Sequence, residues 1–169
     1  MSASAADELK ALMLRAPRLT LAVAESLTAG HAQARVAAVS GASEFFLGGL
    51  TAYSLEQKVR HLGVDRAAAK KVNCVSAEIA EQMARGVCGL FGADVGVATT
   101  GYAEPSAADG VAMPYAWWAV AMRRRGGKFL MRHGRVECPG EPRVAVQAIV
   151  AEAAVAELVA LLRELRGCA

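Results

Sequence analysis

Apolar and polar positions along the chain alternate between helical and strand spacing, in an order that predicts the fold. Leu9, Leu12 and Met13 share one stripe and predict an opening helix over residues 5–15, ended by Pro17. Residues 19–24 are a short apolar run with strand character, stopped by Glu25-Ser26. Ala32, Val36 and Val39 recur at helical spacing, predicting a helix over residues 28–39 with Gly41 just past its end. Gly48-Gly49 leads into a second strand over residues 50–53. Ser54 then caps a helical segment through Glu56, Lys58 and Val59 that closes at Gly63. Asp65 caps a short helix over residues 65–71. Ser76 starts a longer one to Phe91, with Ile79, Met83, Val87 and Leu90 as its inner face. Residues 94–99 form a continuous apolar strand, which implies burial on both faces. A loop rich in Gly, Pro, Ala and Ser follows over residues 101–113. Strands over residues 115–122 and 129–136 make a hairpin around Arg125-Gly126-Gly127, and Pro142 opens a last helix that runs to about Leu165.

Helix and strand alternate early and an antiparallel pair comes late. The prediction is an α/β fold: a three-layer α/β/α sandwich with a mixed, mostly parallel sheet and a late antiparallel hairpin. With 169 residues, 54% of them hydrophobic, the chain fits one domain spanning residues 1–169, and no linker, internal repeat or low-complexity segment divides it. The last helix is apolar nearly all round, so it is expected to be covered on more than one side. A homo-oligomer interface is one way to cover it. It does not read as a membrane span, because Gln147, Glu152 and Glu157 interrupt it and charges cost about 2.5–3.5 kcal/mol each at a bilayer centre.

A charged fraction of 21% and a net charge of +3 call for neither nucleic acid nor an anionic membrane as partner. The basic run Arg123-Arg124-Arg125 with Lys128 reads as a solvated hairpin turn. No basic segment followed by an apolar core opens the sequence, so a cytoplasmic location is expected. Cys74, Cys88, Cys138 and Cys168 are far apart and read as free, mostly buried thiols. His31, His61 and His133 are scattered as well, so no metal site and no cofactor are expected.

In an open α/β sheet, ligands bind beyond the carboxyl ends of the strands. Three loops qualify here, at residues 25–30, 53–58 and 99–105, and they are expected to converge on one edge. Ser26 lies on the first. It reads either as an exposed nucleophile, with N–H groups of Thr28 to Gly30 as oxyanion donors, or as Ser26 or Thr28 serving merely as a helix cap. Lys58 follows Tyr53 by five residues across a strand-to-helix corner. A lysine buried beside a serine loses its proton readily and can act as general base, with a tyrosine hydroxyl relaying the proton or holding the geometry. A solvated surface lysine is the other reading. No Gly-x-Ser-x-Gly, Ser-x-x-Lys, P-loop or Gly-x-Gly-x-x-Gly motif is present.

The run Ala24-Glu25-Ser26-Leu27-Thr28-Ala29-Gly30 resembles the A-E-S-C-T-G-G signature of the CinA C-terminal domain family, whose members include nicotinamide-nucleotide amidohydrolases. Gly41-Ala42-Ser43-x-x-Phe46-x-x-Gly49 is similar to the family's G-A-S-x-x-F-x-G-G stretch. Tyr53-Ser54-x-Glu56-x-Lys58-x-x-x-Leu62-Gly63-Val64 is similar to Y-S-N-E-x-K-x-x-x-L-G-V. Val75-Ser76-x-Glu78-x-Ala80-x-x-Met83-Ala84 resembles V-S-E-E-V-A-x-x-M-A, and Thr100-Gly101-x-Ala103-x-Pro105 resembles T-G-I-A-G-P. The resemblance implies the same α/β/α fold and hydrolysis of the carboxamide of nicotinamide mononucleotide to nicotinate mononucleotide and ammonia. It makes Ser26 the nucleophile, activated by Lys58 and Tyr53. Glu25, Thr28, Ala29, Gly30, Gly49, Thr100, Gly101, Glu104 and Arg143 become the expected contacts to a small nucleotide substrate.

Several positions depart from the family pattern. Leu27 and Ala29 replace its Cys and first Gly, and Glu104 adds a carboxylate that either repels a phosphate or points to solvent. Ala116 and Trp117 fill Gly and Thr positions, so the indoles of Trp117 and Trp118 either reshape the pocket or pack in the core or an interface. Gln147 replaces an arginine, and Arg143 matches the pattern only with one residue inserted. These changes leave open a different small amide as substrate, acyl transfer or ester hydrolysis by the same serine, and a non-catalytic ligand-binding or regulatory homologue.

Overall fold

The computed structural model describes residues 3–167; Cys168 lies outside them. Five strands form one sheet in the order β2-β1-β3-β4-β5, with β1 at Leu21–Glu25, β2 at Phe46–Thr51, β3 at Val95–Tyr102, β4 at Tyr115–Arg123 and β5 at Phe129–Glu137. β1 runs parallel to both β2 and β3, whereas β4 is antiparallel to β3 and to β5. The sheet is therefore the expected mixed one, parallel on one side of β3 and antiparallel on the other.

The strands' side-chain alternation separates two layers of helices. Leu21 and Val23 of β1, Val97 of β3, and Trp118, Val120 and Met122 of β4 face one side. There they pack with α1 (Ala3–Leu14), α2 (His31–Ala37) and α6 (Arg143–Arg166). Ala22, Ala24, Ala98, Ala119 and Ala121 face the other, against α3 (Leu55–Leu62), α4 (Arg66–Lys71) and α5 (Ala77–Phe91). The small side chains on this second face let α5 lie close to the sheet. A Cβ added at Gly96 would stand 2.1 Å from the Ala84 carbonyl oxygen.

Ser54, Asp65 and Ser76 cap α3, α4 and α5 as their positions imply, each side chain accepting a backbone N–H three residues on. The exposed turn between β4 and β5 carries Arg124, Arg125 and Lys128, while Arg123 lies over the Phe129 ring at 5.2 Å. By length and hydropathy α6 is long and apolar enough to cross a membrane. Its apolarity has an internal explanation, because Val146, Val150, Ala151, Ala154, Leu158 and Leu162 are fully buried in the core.

Among the differences from expectation, two concern where an element starts and one concerns a helix face. α2 starts at His31 rather than Thr28, because Ala29 (φ 48°) and Gly30 (φ 105°) turn left-handed ahead of it. β2 begins at Phe46, four residues early, running through Gly48 and Gly49 instead of starting after them. On α5 the buried stripe is Ile79, Ala80, Met83, Ala84, Val87 and Cys88, which continues to Phe91 and leaves Leu90 48% exposed.

Candidate active site

The carboxyl ends of β1 and β3, the corner after β2 and the start of α6 enclose a cavity of about 460 Å³. Ser26, Tyr53, Lys58, Thr100, Gly101, Glu104 and Arg143 all line it. These seven positions, expected from sequence, are thus brought to one place from segments up to 117 residues apart.

Ser26 follows the last residue of β1 directly, and its N–H donates to the Thr99 carbonyl at 3.1 Å, which ties it to the end of β3. It caps no helix. The N-cap of α2 is Gly30, and the capping acceptor is the wholly buried Glu25 carboxylate, which takes the N–H groups of Gly30, Ala32 and Gln33 at 3.0, 3.0 and 2.9 Å. A carboxylate suits that place because it meets the positive end of the helix and its free donors. The Ser26 side chain is 7% exposed.

Lys58, on α3, is 1% exposed. Its Nζ donates to Ser26 Oγ at 2.9 Å, to the Ala52 carbonyl at 2.9 Å and to the Tyr53 carbonyl at 3.0 Å. Burial holds this amine below the ordinary lysine range, and the nearby Cys74 thiol opposes the shift only in part. The three contacts suit either protonation state. The ammonium donates to all three oxygens. The neutral amine keeps two N–H donors for the two carbonyls, which can only accept, and so turns its lone pair toward the Ser26 hydroxyl.

Tyr53 reaches the pair through its backbone. Its hydroxyl sits at the cavity mouth, where it accepts from Arg143 Nη2 at 2.6 Å. The hydroxyl, expected to relay the proton or hold the geometry, is thus bonded to Arg143, while the Tyr53 carbonyl helps to orient the amine. Arg143 Nη1 donates to Glu104 Oε1 at 2.7 Å, so one guanidinium joins two walls of the mouth. Thr100 Oγ1 donates to the Cys74 carbonyl at 2.7 Å, and Gly101 lets β4 approach, since a Cβ there would lie 2.4 Å from the Tyr115 carbonyl oxygen.

The remaining expected contacts do not line the cavity. Glu25 is occupied by α2, and the buried Thr28 hydroxyl is paired with Thr99 Oγ1 at 2.7 Å. Ala29 and Gly30 lie on the turn beyond, and Gly49 sits within β2 against Gln33 of α2. Two expected oxyanion donors are also engaged: the Ala29 N–H donates to the Ser26 carbonyl at 3.2 Å and the Gly30 N–H to Glu25. Among the described residues the Leu27 N–H carries no hydrogen bond, and Leu27 does line the cavity.

Neither tryptophan reaches the cavity. Trp118 is buried in the core against Gly134, and Trp117 packs on the α5 face edge-on to His133 at 6.0 Å. Gln147 faces the site from α6, its amide donating to the Leu27 carbonyl at 2.8 Å. Asn73, Cys74 and Tyr102 complete a wall that sequence reasoning missed. Asn73 and Cys74 both have positive φ (46° and 63°), and Asn73 donates to the Tyr102 hydroxyl at 2.9 Å. The only local signal for that wall was an asparagine just ahead of the Ser76 cap. Among the described residues no group of three or more His, Cys, Asp or Glu side chains is placed to hold a metal ion.

Known proteins share this arrangement of elements. A CinA-like protein of Chlorobium limicola is 36% identical over 162 residues, covering 95% of this chain and 38% of the relative. A putative competence-damage inducible protein of Moorella thermoacetica is 47% identical over 93 residues, covering 55% of this chain and 22% of the relative. The chain thus spans less than two fifths of either relative's length. A crystal structure of a competence-damaged protein (CinA) superfamily protein from Enterobacter cloacae superposes with a TM-score of 0.84 at 30% identity, covering 95% of this chain and 91% of the other. The family model of the CinA C-terminal domain matches residues 3–162, and the chain belongs to that family.

Proposed function

We propose that this chain is a serine amidohydrolase acting on a small carboxamide, either nicotinamide mononucleotide, as the family resemblance implies, or a related small amide. One observation carries the reading: the buried Lys58 amine, held below its ordinary pKa, lies 2.9 Å from Ser26 Oγ at the floor of the cavity. Desolvation favours the neutral amine, and the Ala52 and Tyr53 carbonyls aim its lone pair at the serine.

Ser26 Oγ attacks the amide carbon as its proton passes to Lys58 Nζ. The carbonyl oxygen gains negative charge, for which the Leu27 N–H, on the residue after the nucleophile and lining the cavity, is a candidate donor. Lys58 returns the proton to the nitrogen, the C–N bond breaks and ammonia leaves an acyl-serine. Water then gives a proton to Lys58 and adds to the acyl carbon; the bond from that carbon to Ser26 Oγ breaks as Lys58 passes the proton to Oγ, which releases the carboxylic acid and restores both residues.

The test is ammonia release from nicotinamide mononucleotide and from its dephosphorylated riboside, beside a Ser26→Ala control. Release from at least one compound by the parent chain, and from neither by Ser26→Ala, is expected. A folded parent chain that releases none overturns the substrate class, and activity surviving in Ser26→Ala overturns the nucleophile.

A further inference from the structure

At the mouth of the cavity a single arginine is held by two side chains of the wall: Arg143 donates to the Glu104 carboxylate at 2.7 Å and to the Tyr53 hydroxyl at 2.6 Å. Glu104 thus supplies, from within the chain, the anion that this guanidinium would otherwise offer to take from a ligand. Among the charged side chains that line the cavity, the only other one is Lys58, whose buried amine is biased toward neutrality and turned to Ser26. At the mouth the Arg143 cation is thus paired with the Glu104 carboxylate, and the Tyr53 ring lies beside them.

Resting on the amidohydrolase reading, we infer that Glu104 is a specificity-determining residue that directs this site to carboxamides without an anionic tail. The substrate class is a neutral or cationic aromatic amide, such as a pyridinium carboxamide riboside, in preference to its 5′-phosphate. A pyridinium ring carries positive charge and suits the Glu104 carboxylate and the Tyr53 face. A phosphate would have to displace Glu104 from Arg143 and then remain beside the displaced carboxylate. The Glu104 and Arg143 side chains are 62% and 43% exposed, so the discrimination is graded by solvent screening rather than absolute.

The experiment is calorimetric titration of Ser26→Ala protein, which binds without turnover, with nicotinamide mononucleotide and with the riboside. It is repeated in Ser26→Ala carrying Glu104→Gln or Glu104→Ala. The riboside is expected to bind more tightly than the mononucleotide to the Glu104 protein. Removing the carboxylate is expected to tighten the mononucleotide about three- to fivefold at low salt, with the gain shrinking as ionic strength rises and the riboside moving less than about twofold. A ratio unmoved by both substitutions, or an equal change for both ligands, overturns this inference and leaves the amidohydrolase reading standing. Failure of either ligand to bind any variant, with no ammonia released by the parent chain, overturns both.

Discussion

An amine sealed from water needs acceptors for its hydrogens, and Lys58 has three oxygens within 3.0 Å. Its lowered pKa has two measurable consequences. Activity should rise with pH as the amine deprotonates, with a midpoint below the ordinary lysine value of about 10.4. Stability should rise over the same window. Between the folded pKa and about 10.4 the unfolded chain binds more protons than the folded one, so raising the pH favours the folded state. Below the folded pKa, the buried ammonium carries its full desolvation cost. Lys58→Met should abolish turnover, a loss of about a hundredfold or more, and flatten this part of the stability profile. The Cys74 thiol, its pKa raised by burial and opposed by the nearby Lys58, works in the opposite sense at alkaline pH, so parent and variant are compared in a Cys74→Ser background to isolate the lysine. Identical slopes in urea titrations across pH would return Lys58 to a structural role.

At the scale of elements, α2 is held by a residue outside it. The Glu25 carboxylate takes three N–H groups from the start of α2, and the next residue is Ser26. Glu25→Gln turns one oxygen into a donor facing those donors. It should lower stability by about 2–3 kcal/mol, as expected when buried charge-assisted bonds are lost, and reduce turnover by shifting the serine. A folded variant with unchanged urea midpoint and rate would refute the link. This cap also marks the limit of what the sequence reveals. The caps at Ser54, Asp65 and Ser76 are legible because the side chain and its N–H partner lie three residues apart. Glu25 reaches five to eight residues ahead around a left-handed turn, so residues 28–30 read as helix. The same distinction separates the parts of the site. Ser26 and Lys58 were readable from motif order, whereas the Arg143 bond to Glu104 joins residues 39 apart and the role of the Tyr53 carbonyl depends on where α3 turns.

Across the whole molecule, α6 serves the core along most of its length and the cavity at one end. Its 24 residues carry Arg143 at the cavity, Gln147 bonded to the carbonyl of the lining residue Leu27, and Leu158, Leu161 and Leu162 deep in the layer with α1 and α2. Leu158 is fully buried and stands 11 residues beyond Gln147, which at 1.5 Å per residue is about 16 Å along the helix. Leu158→Ala should therefore lower the unfolding free energy by about 2–5 kcal/mol, the range for a leucine truncated in a close-packed core. Ser26 and Lys58 are fixed from β1, β3 and α3, so the variant assayed at low temperature, while still folded, should keep its rate within about twofold. Urea denaturation paired with ammonia release separates the outcomes. A large stability loss with a preserved rate means that the sheet and α3 alone hold Ser26 and Lys58 in place. A fall in rate in protein that is still folded would mean that α6 packing reaches Ser26 through the bond from Gln147 to the Leu27 carbonyl.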